Sequence, residues 1–309
     1  MKSMEKFDVI VRVPCSTANL GSGFDCIGMA LQLYTTIKMK KTSNTSILLR
    51  GENLEGIPTT KENLIYKIAQ LIFKKAKYDC PELEIEIESE IPLTRGLGSS
   101  AAAIVGAMAA ANVLAGEPFT KDELYLFSSE LEGHPDNVGA SLLGGIVIAT
   151  YNEEKVSYIR VSPPPEMKTV VAVPHFELST KLARDVLPNS YSKEDAVYAI
   201  GHSALLASAL VSGNTSLLNE AMRDRIHQPF RTSLVPGMNV LLDHAHQYGA
   251  LGIALSGAGP TIIALTDRED EKLQQYMHDV LLEHGISSTV QTLIPDNQGI
   301  QIQSFVTVN

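Results

Sequence analysis

Alternation is plainest at residues 82–88 (ELEIEIE), where Leu83, Ile85 and Ile87 fall on one side and acids on the other. A period of two predicts a strand with one buried face. Residues 8–13 (DVIVRV) read as a first strand closed by Pro14, and residues 31–41 alternate loosely enough to form another. The period changes at residues 61–77, where Leu64, Ile65, Ile68, Leu71 and Ile72 fall at helical spacing. Residues 99–115 and 121–131 give two more helices, and Gly144-Gly145 opens a strand at 146–150, followed by one at 156–161.

Pro163-Pro164-Pro165 is stiff and cannot enter a sheet, which makes it the natural linker. Beyond it the pattern predicts a strand at 168–173, helices at 193–212 and 237–248, and two strands, 251–255 and 261–266, around a Gly-Ala-Gly-Pro turn. A helix at 269–284 and closing strands at 287–293 and 300–306 follow. Strand-helix-strand-strand-helix-strand is the order of a ferredoxin-like split unit. The class is α+β with two halves, residues 1–162 and 163–309.

Composition narrows the function. The 309 residues carry 25 Lys and Arg against 35 Asp and Glu, with no basic run, so nucleic acid and anionic membrane are excluded as expected partners. Cys15, Cys26 and Cys80 form neither a disulfide framework nor a C-x-x-C metal pair, which suits a reducing cytoplasm. Residues 1–7 (MKSMEKF) lack the apolar core of a signal peptide. The run 101–116 is mostly Ala, contains Asn112 and is too short to span a bilayer, so it is expected to be a buried helix.

Residues 95–103 (RGLGSSAAA) are the most informative stretch. Gly96 and Gly98 permit positive φ and a close backbone approach, and a helix follows whose first amides lack internal partners. Such a helix start attracts an anion, and Ser99 and Ser100 add donors and an oxygen for Mg²⁺. The simplest occupant is a nucleotide polyphosphate; the competing reading is a plain Ser-capped helix. The loop lacks a Walker ending and does not fit G-x-G-x-x-G.

Pro92-Leu93-Thr94-Arg95-Gly96-Leu97-Gly98-Ser99-Ser100-Ala101-Ala102 resembles the nucleotide motif of the GHMP small-molecule kinases. Residues 14–25 (PCSTANLGSGFD) resemble that family's first motif and residues 255–261 (LSGAGPT) its third. Three motifs in order span nearly the whole chain. The resemblance implies an N-terminal half like ribosomal S5 domain 2, a ferredoxin-like C-terminal half, ATP and Mg²⁺ as cofactors, a cytoplasmic setting and a homodimer.

Residues 14–31 and 130–138 (ELEGHPDNV) are most similar to the homoserine kinase branch, which implies L-homoserine as the substrate. By that resemblance residues 92–102 hold ATP, and Ser100 with Glu132 holds Mg²⁺, Glu130 being the alternative acid. Asn19, Asp25, His134 and Asn137 grip the amino and hydroxyl end. Arg184 (in STKLAR) and Arg231 (in QPFR) clamp the carboxylate, for which bidentate guanidinium groups are suited. Asp136, Asn137 and Ser100 are the catalytic candidates, with Asp136 either a base or a structural residue. The Gly257–Gly259 turn is expected to brace the phosphate loop. Another small-alcohol kinase of the family, of mevalonate or shikimate type, and a catalytically silent metabolite sensor are the alternatives.

Overall fold

The computed structural model describes residues 7–79 and 82–305. Residues 1–6, Cys80 and Val306 therefore lie outside the described residues.

Strands β1 (Val9–Asn19) and β2 (Gly23–Thr42) form a long antiparallel hairpin. The first strand does not stop at Pro14 as expected. A register shift between Pro14 and Cys15 absorbs the proline at a bulge, and pairing resumes to Asn19. Likewise β2 begins at Gly23 rather than at residue 31. Its early half escapes pattern reading because Phe24, Asp25 and Gly28 serve a cavity and a close contact rather than an alternating surface. The short edge strand β3 (Ser46–Arg50), not anticipated either, pairs parallel to β4 (Glu82–Ser89).

Helix α1 (Leu64–Lys75) starts late because the Asn63 side chain caps it, accepting from the Ile65 amide at 2.9 Å. Helix α2 (Ser99–Leu114) is buried almost all round, as an apolar helix with little polar face must be. Its small residues let it lie close to the sheet. A Cβ built on Gly106 would meet Ile37 Cδ1 at 2.7 Å and Val13 Cγ2 at 2.9 Å. Asn112, the polar interruption, donates to the Phe119 carbonyl at 2.9 Å and accepts from its amide at 3.1 Å. It thereby pins the turn before α3 (Lys121–Glu132), which opens with a Thr120/Glu123 capping box. Gly133, left-handed at φ 87, ends α3, and α4 (Asp136–Leu143), unforeseen in the sequence, starts at once. Strand β5 (Ile146–Tyr151) pairs with the inner end of β2, and β6 (Val156–Val161) pairs with β5.

After the prolines comes β7 (Lys168–Pro174), then α5 (Thr180–Asp185), α6 (Lys193–Ser212), α7 (Leu218–Ala221), α8 (Gln228–Arg231) and α9 (Met238–His244). Strands β8 (Gly252–Leu255) and β9 (Ile262–Thr266), helix α10 (Glu271–Glu283) and β10 (Ser288–Leu293) complete an antiparallel sheet in the order β10-β7-β9-β8. That is the ferredoxin-like order expected. Both faces of this sheet are covered: Val171 and Val173 join the core beneath the first sheet, and Val170 and Ala172 join a second core with α9 and α10. This explains the unbroken apolar run at 170–173 (VVAV).

The last strand, β11 (Gln301–Ser304), does not extend the second sheet. It crosses back and pairs antiparallel with Val9–Arg12 of β1 in the seven-stranded first sheet. Among the described residues, the apolar segment of membrane-crossing length and composition is α6, not the alanine-rich run. Its Leu206, Ala209 and Leu210 are buried in the first core.

Replacing Asn112 by Ala strands the Phe119 amide and carbonyl. Two lost bonds outweigh the gain in helix propensity of about 0.5 kcal/mol and cost about 1–2 kcal/mol net. The thermal midpoint is expected to fall by several degrees; an unchanged midpoint refutes the pinning role.

Candidate active site

The cavity between the two halves forms where three turns meet. Gly98, left-handed at φ 67, is the N-cap of α2, and no side chain caps that helix. The Ser-cap alternative is thereby answered: Ser99 and Ser100 lie inside the first turn, and the leading amides have no side-chain partner to neutralise them. Glycine is needed at both loop positions. A Cβ at Gly98 would sit 2.2 Å from Ser16 Oγ, and one at Gly96 would sit 2.4 Å from the Ser256 carbonyl.

Neighbouring turns hold this loop by direct bonds. The Ser256 hydroxyl donates to the Gly96 carbonyl at 2.6 Å and shares a 2.9 Å bond with the Thr17 hydroxyl. The Ser16 amide donates to Leu97, the Thr261 amide to Arg95 and the Leu178 amide to Thr94. The Gly257–Gly259 turn also faces the cavity.

The cavity measures about 130 Å³. The structure brings Asn19, Asp25, Ser99, Ser100, Glu132, His134, Asp136, Asn137, Arg184 and Arg231 to its wall. Glu130 is not among them; it is exposed, 4.0 Å from Lys75 Nζ. Ser100 Oγ instead donates to Glu132 Oε2 at 3.1 Å. Burial raises the Glu132 carboxyl above its ordinary value, opposed by the His134 charge and the Ser100 bond. A cation placed there would relieve that penalty, so the donor set fits Mg²⁺.

Two ion pairs also line the cavity. Asp25, at φ 54, meets Arg184 in a bidentate pair at 2.8 and 3.1 Å. His134 Nδ1 lies 2.5 Å from Asp136 Oδ1, which also accepts the Asn137 amide at 2.7 Å. Burial disfavours the charged imidazole. The Asp136 bond and charge, with Asp25 and Glu132, outweigh it and raise the ring to about 8. The second Asp136 oxygen is sealed from solvent and, among the described residues, has no partner. Although Asp25, His134 and Asp136 bring ligand atoms within 4.8 Å of one another, Arg184 and the His134–Asp136 bond already neutralise that cluster.

Asn19 is nearly consumed by the scaffold: its amide donates to the Gly257 carbonyl at 2.9 Å and accepts from the Asp25 amide at 3.0 Å. Asn137 Oδ1 accepts from Ser16 at 2.9 Å. Arg231 is only 1% exposed, with Nε donating to the Ala183 carbonyl at 2.9 Å. Burial, then the neighbouring Arg184 charge, lowers it to about 10, so it keeps its charge at neutral pH.

Sequence reading missed Phe24, Leu178 and Thr180 on the wall and His227 behind it. Phe24 falls inside the first motif, but an aromatic ring there gives no chemical signal. It also missed an adjoining apolar cavity of about 340 Å³, which includes Leu54, Ile57, Pro58, Leu64, Leu93 and Ala103 and shares Thr94, Ser99 and Ser100 with the first. Leu93, Thr94, Ser99 and Ser100 of its wall belong to the 92–102 motif, but the rest comes from separated segments with no motif of their own.

Residues 63–145 match the profile of the GHMP kinases N terminal domain and residues 206–281 that of the GHMP kinases C terminal. A homoserine kinase of Deinococcus radiodurans is 44% identical over 95% of this chain and 96% of its own length. One of Moorella thermoacetica is 42% identical over 94% and 98%. The crystal structure of homoserine kinase from Cytophaga hutchinsonii superposes with a TM-score of 0.85 at 28% identity, covering 96% of this chain and 98% of that one. L. major mevalonate kinase shares the fold at a TM-score of 0.69 and 18% identity, over 92% and 95% of the two chains. With both domain profiles matched and such relatives aligned from end to end, the chain belongs to the GHMP kinase family.

Proposed function

We infer that this chain is a homoserine kinase: it transfers the γ-phosphoryl group of ATP to the hydroxyl of L-homoserine, giving O-phospho-L-homoserine and ADP, a step of threonine biosynthesis. The observation that carries the reading is one cavity lined by an uncapped helix start, the Ser100–Glu132 contact and the Asp25, Arg184 and Arg231 charges. A zwitterionic alcohol offers an ammonium and a carboxylate to match those charges; mevalonate and shikimate carry no ammonium. A homodimer in the cytoplasm belongs to the same proposal.

Phosphoryl transfer needs alignment and charge stabilisation more than covalent help. The amides from Gly96 to Ser100 would cradle the phosphates, and the apolar cavity beside them suits the adenine ring. Ser100 and Glu132 would hold Mg²⁺, which when bound supplies charge neutralisation on the phosphate oxygens. Asp25 would take the ammonium as Arg184 turns to the carboxylate with Arg231. Asn137 and His134 would orient the hydroxyl, the imidazolium facing the charge that builds on the transferred group.

Asp136 suits a positioning role better than that of a base. One oxygen is committed to His134 and the Asn137 amide, and the other is shut away from the cavity. The hydroxyl proton would then leave on a phosphate oxygen.

A coupled ADP-release assay with homoserine, mevalonate and shikimate tests the reading: turnover with homoserine alone is expected, turnover with another alcohol alone shifts the substrate, and none at all favours a silent sensor. Glu132→Gln is expected to lower kcat by about 100-fold or more and to raise the Mg²⁺ needed for half-maximal rate; wild-type metal dependence would remove Glu132 from the metal site. Asp136→Asn is expected to lower kcat by less than ~100-fold, a larger loss at unchanged substrate affinity marking a base. Its pH profile adds a sign. Wild-type kcat/KM should fall as pH rises through about 8, where His134 loses its charge, and the variant should lose activity nearer the ordinary histidine value.

A further inference from the structure

His227 is fully buried, does not touch the cavity, and sits at the start of α8. Its two ring nitrogens face opposite demands. Nε2 lies 2.9 Å from the Gly21 carbonyl, an acceptor, so it must carry the hydrogen. Nδ1 lies 3.1 Å from Arg231 Nη1, which can only donate, so it must present a lone pair. Together they select the neutral Nε2–H tautomer. The nearby Asp224 carboxylate is occupied elsewhere, accepting from the amides of Ile226, His227 and Gln228.

The anchors of this ring are themselves fixed. Gly21, at φ 79, packs so closely on the Met222 carbonyl that a Cβ would come within 1.8 Å of it, and the adjacent Ser22 hydroxyl donates to the Ala221 carbonyl at 2.6 Å. The ring also stacks on Phe24 at 4.9 Å between centroids and 20° between planes. Phe24 lines the cavity, with the Arg231 guanidinium 5.6 Å from its ring centre.

Counting donors shows what His227 leaves available. Arg231 Nε is spent on Ala183, and the two hydrogens of Nη1 go to His227 and to the Gly257 carbonyl at 3.1 Å. Among the described residues Nη2 has no hydrogen-bond partner, and Arg231 lines the cavity. We propose that His227 is a positioning residue for the acceptor substrate: as a neutral acceptor it fixes the rotation of the Arg231 fork so that Nη2 alone faces the substrate carboxylate. A one-nitrogen contact differs from the two-nitrogen clamp expected of an arginine here. The inference rests on Arg231 as a carboxylate ligand, as proposed above.

His227→Phe keeps the ring and its stacking but removes both bonds. The homoserine KM is expected to rise about tenfold to hundredfold, the range for losing a hydrogen bond to a charged group, with ATP KM and kcat little changed. His227→Asn, whose carbonyl can accept from Arg231, should recover part of the loss. In an Arg231→Met background the His227→Phe change should add nothing. An unchanged homoserine KM in folded His227→Phe, an equal rise in both KM values, or a full additional loss in the Arg231→Met background each overturns the proposal. Should the variants fail to fold, ¹⁵N-histidine NMR of the wild-type protein at neutral pH decides: the Nε2–H tautomer is expected for His227, and the Nδ1–H form or the imidazolium refutes it. Arg231→Met with an unchanged homoserine KM would sink the parent reading and this one with it; a strong Arg231→Met effect beside a silent His227→Phe sinks only this one.

Discussion

The site depends on one steric constraint: backbone must approach backbone where the loop entering α2 meets the end of β1 and the turn after β8. At Gly96 and Gly98 even a methyl group would overlap atoms of Ser256 and Ser16. Only because these segments touch can the Ser256 hydroxyl reach the Gly96 carbonyl and the Gly257 amide reach Ala18. A loop held this way has its amides aimed before any ligand arrives, and ordering them costs nothing at the moment of binding. The two halves are thus joined at the very place where two substrates would have to meet.

Electrostatics follows from that closeness. The chain carries a formal charge of −10, yet its cavity is built from pairs that cancel internally. Asp25 answers Arg184 and Asp136 answers His134. The remaining pair of charges is Arg231, buried and still cationic, and the Glu132 carboxyl, with a helix start beside them that adds partial positive charge. With its side chains balanced, the cavity leaves the uncapped helix start as the feature that favours an anion, without a basic surface.

Much of this was readable from the chain. The α2 loop, the half-buried β4 and the βαββαβ order each follow from a local signal: a glycine pair, strict alternation, a switch of period. Of the motif residues, Asn19, Asp25, Ser100, Glu132, His134 and Arg184 line one cavity. What stayed hidden depends on distance in sequence. Pro14 hides a strand that continues through a bulge, and the chain from Gly133 to Asp136 is too short for α4 to announce itself. His227 sits one residue before the QPFR stretch, but its importance lies in contacts with Gly21 and Phe24, about 200 positions away. The partners that engage Arg231, the Ala183 and Gly257 carbonyls and the His227 ring, are likewise ones that no motif reveals.

The returning strand β11 carries a consequence for biosynthesis. Until Gln301–Ser304 emerge from the ribosome, the outer edge of β1 at Val9–Arg12 stands without its neighbour. A growing polypeptide must therefore carry an open β-edge while all the residues between Arg12 and Gln301 are made, a period when edge-to-edge association between nascent chains is hazardous. Arg12, exposed on that edge and laid over the Tyr34 ring at 3.4 Å, places a charge where an intruding strand would have to pair.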